Sequence, residues 1–243
     1  MDPSQISHET LAGKILRLPF RLLPKGAVVR ILRGPARGKR WLVESSTRGF
    51  WLGFWELDNQ RWFAARLKEG DIVYDIGAHA GLYTLIASSR IGSNGRVYAF
   101  EPLPRNVYFL RQHLQLNNIS CCSVIEAAVS NSSGWARFEP TMLNAAGHLS
   151  AVGAIRVRTL SLDDFYLCGK EVRPPSVVKI DAEGAEIEVL RGAARLLSEF
   201  SPRIYLSAHS ALAEKECLEF LRSARYEVTR MSIDDFWAEK ANP

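Results

Sequence analysis

The spacing of apolar positions changes twice along the chain, and the changes mark its organisation. Residues 27–33 (AVVRILR) and 39–45 (KRWLVES) are β-rich runs separated by GPARG, where Gly34, Pro35 and Gly38 signal a turn. They predict a small hairpin. A glycine-containing aromatic stretch runs from Trp51 to Glu56, and a helical pattern over 58–68 stops at Gly70, a natural C-cap. From residue 71 the pattern alternates. DIVYDIG (71–77), RVYAFE (96–101) and CSVIEAAVS (122–130) are short apolar strands. LYTLIASSRI (82–91) and PRNVYFLRQHLQLNN (104–118) have helical spacing, the latter with proline near its start and asparagine at its end. Such strand–helix alternation predicts a doubly wound parallel sheet.

The alternation pauses at GWARFE (134–139) and AIRVRTL (154–160), strands expected on either side of a loop of small and polar residues, 140–153. It resumes with SVVKID (176–181), a helix over 184–199, RIYLSAH (203–209) and a helix near 211–224. YEVTRMS (226–232) and FWAEK (236–240) predict a terminal hairpin, so that the last strand runs antiparallel. The expected division is a helix and β-hairpin cap over 1–69 and a main domain over 70–243.

Composition narrows the class. The 243 residues are 47% hydrophobic and 23% charged, which sets aside disorder and low complexity. A chain of this length buries about 70% of its unfolded surface and needs no metal or disulfide to fold. No apolar run approaches the roughly 18 residues of a spanning helix. The net charge of +5 is uneven: residues 1–70 hold 13 Lys/Arg against 6 Asp/Glu, residues 71–243 hold 18 against 20. A nucleic-acid partner is therefore not expected for the part that carries the motifs. Residues 11–23 (LAGKILRLPFRLL), broken by Pro19, are expected to dock as a helix on the main domain, with weak membrane-surface contact as the alternative. The polar start MDPSQISHET does not read as a secretory leader. Cys121, Cys122, Cys168 and Cys217 lack zinc spacing and are expected as buried, reduced thiols, which suits the cytoplasm.

The first candidate site is Asp75-Ile-Gly77-Ala78-His79-Ala-Gly81, at the C-terminal end of the first core strand, where ligands enter such sheets. It is not a phosphate loop, which needs GK[ST]. It is not a dinucleotide fingerprint either, because His79 stands where GxGxxG needs its second glycine. An acid before the loop repels a pyrophosphate and attracts a cation, such as an ammonium or sulfonium. The next strand ends in Phe100-Glu101-Pro102, which places Glu101 to accept hydrogen bonds from both hydroxyls of a ribose. Ammonium at one end and ribose at the other describe S-adenosylmethionine.

At this point VYDIGAHAGLYT, VYAFEPLPRN, LNN, IEAAVS, TLSLDDF and VVKIDAEGAEIEVLRGA, in that order, resemble the FkbM-like S-adenosylmethionine-dependent methyltransferases. The resemblance covers roughly residues 70–240. It implies a Rossmann-like class I methyltransferase fold: a mostly parallel twisted sheet, helices on both faces and an antiparallel last strand. It also implies O-methylation of a hydroxyl on a sugar, polyketide or other small metabolite. By the same resemblance Asp75, Gly77 and Gly81 match the cofactor loop, Glu101 the ribose-binding acid and Asn106 a position close to it, while Glu126, Ala127 and Ala128 fall where adenine is contacted. Two features depart from the family: Ser207 stands where members often carry Glu two positions before a His, and the basic hairpin is not shared.

The second candidate site is Lys179-Ile-Asp181-Ala-Glu183-Gly184. Alternation sends Lys179 and Asp181 to one face, with Asp181 at the strand end. Asp181 can position a hydroxyl or simply pair with Lys179; Glu183 can do the former or cap the following helix. His209 ends RIYLSAH and is the expected general base, since an unperturbed imidazole titrates nearest neutrality. Asp181, Glu183 and His209 have the donor types for a divalent cation, but no metal is the preferred expectation. Glu56 is expected to close over the methionine end of the cofactor, near its ammonium. His79 is expected chiefly to pack, His148 to reach substrate, and His8 and His113 to lie on the surface. The rival readings are a non-catalytic cofactor-binding module that holds a partner or membrane through its basic front segment, and a nicotinamide oxidoreductase.

Overall fold

The computed structural model describes residues 24, 26–140, 147–149, 153–169 and 171–240. The docking helix expected at 11–23, and His8, lie outside them.

Strands β1 (Val28–Arg30) and β2 (Arg40–Leu42) pair antiparallel as the expected hairpin, followed by helices α1 (Arg48–Leu52) and α2 (Leu57–Arg66). The core then runs β3 (Ile72–Ile76), α3 (Leu82–Arg90), β4 (Arg96–Phe100), α4 (Pro104–Leu116) and β5 (Cys122–Ile125). After an inserted sheet and α5 (Leu162–Cys168) come β10 (Val177–Ile180), α6 (Glu186–Arg191), α7 (Ala194–Phe200), β11 (Arg203–Ser207), α8 (Ala211–Ser223), β12 (Tyr226–Arg230) and β13 (Asp235–Lys240). The main sheet has the order β12-β13-β11-β10-β3-β4-β5. Strands β3, β4, β5, β10 and β11 are parallel, and β13 inserts antiparallel between β11 and β12. The fold is the expected Rossmann-like one with its antiparallel last strand. The strand order reverses between β3 and β10, so their C-terminal ends form the crevice.

Strand periodicity divides the core. Tyr74, Phe100, Ile180, Leu206 and Phe236 face one helical layer. Val73, Val97, Tyr205 and Trp237 face the other, where they pack in one cluster with Ile31, Trp41, Trp51 and Phe63 of the front segment. The hairpin thus shares the core of the main domain. It is locked to α4: Asn117 accepts from the Arg40 N–H (2.8 Å) and donates to its carbonyl (2.9 Å). His113 is not a surface residue. It is fully buried, its Nε2 accepting from the Leu42 N–H (2.9 Å) and its Nδ1 donating to the Ala80 carbonyl (2.7 Å). Its ring stacks on Trp41 at 3.9 Å, and burial lowers its pKa to about 4.

Three other expectations change. The strand at 122–130 divides: β5 stays in the main sheet, while β6 (Ala128–Val129) joins a second sheet of order β6-β9-β7-β8 with β7 (Gly134–Pro140), β8 (Gly147–Leu149) and β9 (Ile155–Leu160). The loop at 140–153 therefore contains a strand; His148 takes the register position opposite Glu139. The helix at 184–199 breaks at Gly192, where a Cβ would lie 2.1 Å from the Ser130 carbonyl. All four cysteines are free, but only Cys217 is buried; Cys121 and Cys122 are half-buried and Cys168 is exposed. Among the described residues no helix is long and apolar enough to cross a membrane.

Candidate active site

A cavity of about 360 Å³ opens above the ends of β3, β4 and β10. Its floor exists because residue 77 is glycine. Gly77 has φ +71°, and a Cβ there would sit 1.8 Å from the Asp181 carbonyl, so the β3 loop and the β10 end touch backbone to backbone. Ala78 and His79 line the cavity beside it.

Glu101, at the β4 end, is nearly fully buried and held at three points. The His79 N–H donates to Oε2 (2.8 Å), the Leu103 N–H to Oε1 (2.9 Å) and the Asn106 amide to Oε1 (3.2 Å). Burial lifts its pKa to about 7, against the lowering effect of those donors. Pro102, Leu103, Asn106, Ala127 and Ala128 continue the wall, and Phe138 closes it from the inner face of the second sheet.

Lys179 and Asp181 share a face as their spacing requires. The Lys179 ammonium is 2% exposed and lies 3.1 Å from the Gly77 carbonyl, 3.3 Å from Asp181 Oδ2 and 3.4 Å from Asp75 Oδ1. Burial opposes its charge, but Asp181, Asp75 and Glu56 together raise its pKa. Asp181 Oδ1 meets His209 Nε2 at 2.8 Å. Burial pushes the Asp181 pKa up, yet Lys179 and His209 overcome it and hold it at about 2. The same hydrogen bond raises His209 to about 9, against its own desolvation. His209 is therefore charged at neutral pH, unlike the free imidazole that the sequence suggests. Glu183 lines the same chamber with a left-handed backbone (φ 50°), and burial raises its pKa. It does not cap α6, which has no side-chain cap; the Glu186 carboxylate instead accepts from the Gly184 N–H at 2.8 Å, ahead of the helix. One potential metal-ligating atom from each of Asp181, Glu183 and His209 lies within 4.8 Å of the others, so these are the residues with the means to hold a cation.

Glu56 also reaches the chamber. It receives the Tyr83 hydroxyl (3.0 Å), and burial and the Asp181 charge raise its pKa. Phe50 and Trp55 stack at 5.0 Å and add an aromatic wall.

Three expected contacts do not reach the cavity. Asp75 is 1% exposed and lies beneath the loop, accepting from the Thr84 hydroxyl (2.6 Å) and facing Lys179. The cation its position calls for is the chain's own. Gly81 caps α3 behind the wall, and Glu126 lies exposed with Arg111 at 3.5 Å. Conversely, Tyr83, Phe138 and Phe50 line the cavity without having been singled out. An aromatic residue inside an apolar run gives no sign of which neighbour it will face.

Residues 75–235 match the family described as the methyltransferase FkbM domain. The hexuronic acid methyltransferase AglP of Haloferax volcanii is 29% identical over 184 residues, 74% of each chain. The solved structure of a methyltransferase FkbM from Methylobacillus flagellatus superposes with a TM-score of 0.54 at 20% identity. That match covers 71% of this chain and 44% of the other, so the matched part spans less than half the length of that protein. At such identity the likeness establishes the fold.

Proposed function

The chain belongs to the FkbM methyltransferase family, and from that premise we propose that it methylates a hydroxyl oxygen of a sugar, an acidic sugar foremost. Its cofactor, S-adenosylmethionine, supplies a methyl group already activated for displacement. What remains for the protein is to grip the donor, exclude water and align the acceptor, worth up to about 7–11 kcal/mol when alignment is ideal.

The observation that carries this reading is the two-ended polarity of one cavity. At one end stands the dry carboxylate of Glu101; at the other stand Asp181, Glu183 and His209, with Glu56 beside them. In our reading Glu101 accepts from the ribose hydroxyls, Asn106 orients it, and Ala127 and Ala128 leave room for the adenine plane. Gly77 and Ala78 let the backbone approach the methionine portion, and Glu56 faces its ammonium.

Asp181 and Glu183 then orient the acceptor hydroxyl, and the His209–Asp181 pair takes up its proton. That pair accepts a proton only when His209 is neutral, so turnover climbs with pH toward about 9. A neighbouring positive charge eases the loss of that proton and moves the climb to lower pH. The choice of an acidic sugar follows the substrate in the Haloferax relative's name.

The test is direct. The protein is incubated with S-adenosylmethionine and glucuronate, galacturonate or glucose, and the sugars and S-adenosylhomocysteine are followed by mass spectrometry. A methylated uronate is expected. If S-adenosylmethionine raises Tm but no sugar gains a methyl group, the acceptor reading fails while the cofactor site stands.

A further inference from the structure

We propose that the outer face of the second sheet is a recognition surface for an acidic oligosaccharide. The choice of occupant rests on the reading of the acceptor as a sugar.

The register builds this surface. In the β7–β9 pair Trp135 stands opposite Arg158, and Arg137 stands opposite Arg156. Residues two apart on a strand share a face, so all four project from the same side. The opposite side carries Ala136, Phe138, Ile155 and Val157, and Phe138 reaches the cavity. One sheet thus has a wall of the active site on one face and three guanidiniums around an indole on the other.

These groups are open to solvent. Trp135 is 63% exposed, and the Arg156 guanidinium sits 4.8 Å from its ring. Among the described residues none of Arg137, Arg156 and Arg158 forms an ion pair with a carboxylate. Arg137 donates to the Gly153 carbonyl at 3.4 Å, and Glu139, two residues on, accepts from the Ala154 N–H (3.1 Å). Like charges directly opposite on neighbouring strands are destabilising, so Arg137 and Arg156 carry a cost that a bound anion would relieve. This positive face lies in a stretch, residues 71–243, whose overall balance is slightly negative.

The chemistry selects the occupant. Guanidiniums pair with carboxylates in bidentate fashion, and an exposed indole offers a flat apolar face to a sugar ring. The tile measures about 7 by 5 Å at the backbone, the scale of one or two sugar rings. A membrane-binding face needs several apolar anchors, and this one has a single indole.

The experiment titrates tetragalacturonate into the full chain without S-adenosylmethionine, by calorimetry at low and high salt. Binding is expected, weakened by salt. Trp135→Ala should lower the affinity about fivefold and Arg137→Gln with Arg156→Gln about tenfold or more. Cofactor affinity and turnover on a monosaccharide should stay unchanged. No binding, equal binding of neutral maltotetraose, or undiminished binding by the variants overturns the proposal. So does stronger binding to single-stranded DNA or to vesicles of anionic lipid. Because the readout needs neither cofactor nor turnover, it can succeed where the acceptor reading fails, and the reverse.

Discussion

The ends of β4 and β10 carry carboxylates about equally well tied, yet in opposite electrostatic states. At the β4 end Glu101 is ringed by neutral donors alone, and burial lifts its pKa to about 7. At the β10 end Asp181 is paired with two cations and held at about 2. The first arrangement suits a neutral diol, which asks only for oriented acceptors. The second suits a reacting centre, where charge and a proton must move without rearranging the walls. Burial alone does not separate the two; the direct ion pairs of Asp181 with Lys179 and His209 do.

The largest expected effect falls at the β10 end. His209→Ala should lower kcat by roughly 10²–10⁴ and leave cofactor affinity within about twofold. Calorimetry beside saturation kinetics checks this, and a lost affinity with normal turnover would erase the contrast. Next comes the β4 end. Glu101→Ala should weaken S-adenosylmethionine binding by about 10–100-fold, the loss of one or two charge-assisted hydrogen bonds. Its kcat at saturation should change far less.

The smallest effect is on stability, and it sharpens the comparison because the two ends titrate in different windows. Glu101 has a raised folded pKa, so its contribution is full below about 4.5 and is lost as pH rises through about 7. His209 is also raised; its contribution is full below about 6.5 and is lost as pH rises through about 9. The cofactor-free protein should therefore lose Tm in two steps on going alkaline, each on the order of 3 °C per kcal/mol. Glu101→Gln should remove the lower step and His209→Gln the upper. Differential scanning fluorimetry from pH 5 to pH 9.5 would show a single merged step if the two ends are coupled.

Much of this was legible in the chain. Period-2 and period-3.6 patterns are local, so the parallel core, its antiparallel last strand and the positions of Gly77, Glu101 and Asp181 at strand ends followed from neighbours in sequence. That Lys179 and Asp181 share a face also followed, because alternation along a strand is obligatory. The functional departures come from partners distant in sequence. Asp75 looked poised for a ligand until Lys179, about a hundred residues later, supplied its counter-charge. His113 looked exposed until β2 covered it. The break at Gly192 needed the Ser130 carbonyl, and the arginine tile needed the β7–β9 register. Local propensity and alternation are written residue by residue. A charge's partner, a proton's affinity and the contents of a cavity wall are set by approach in space, and only the packed chain decides them.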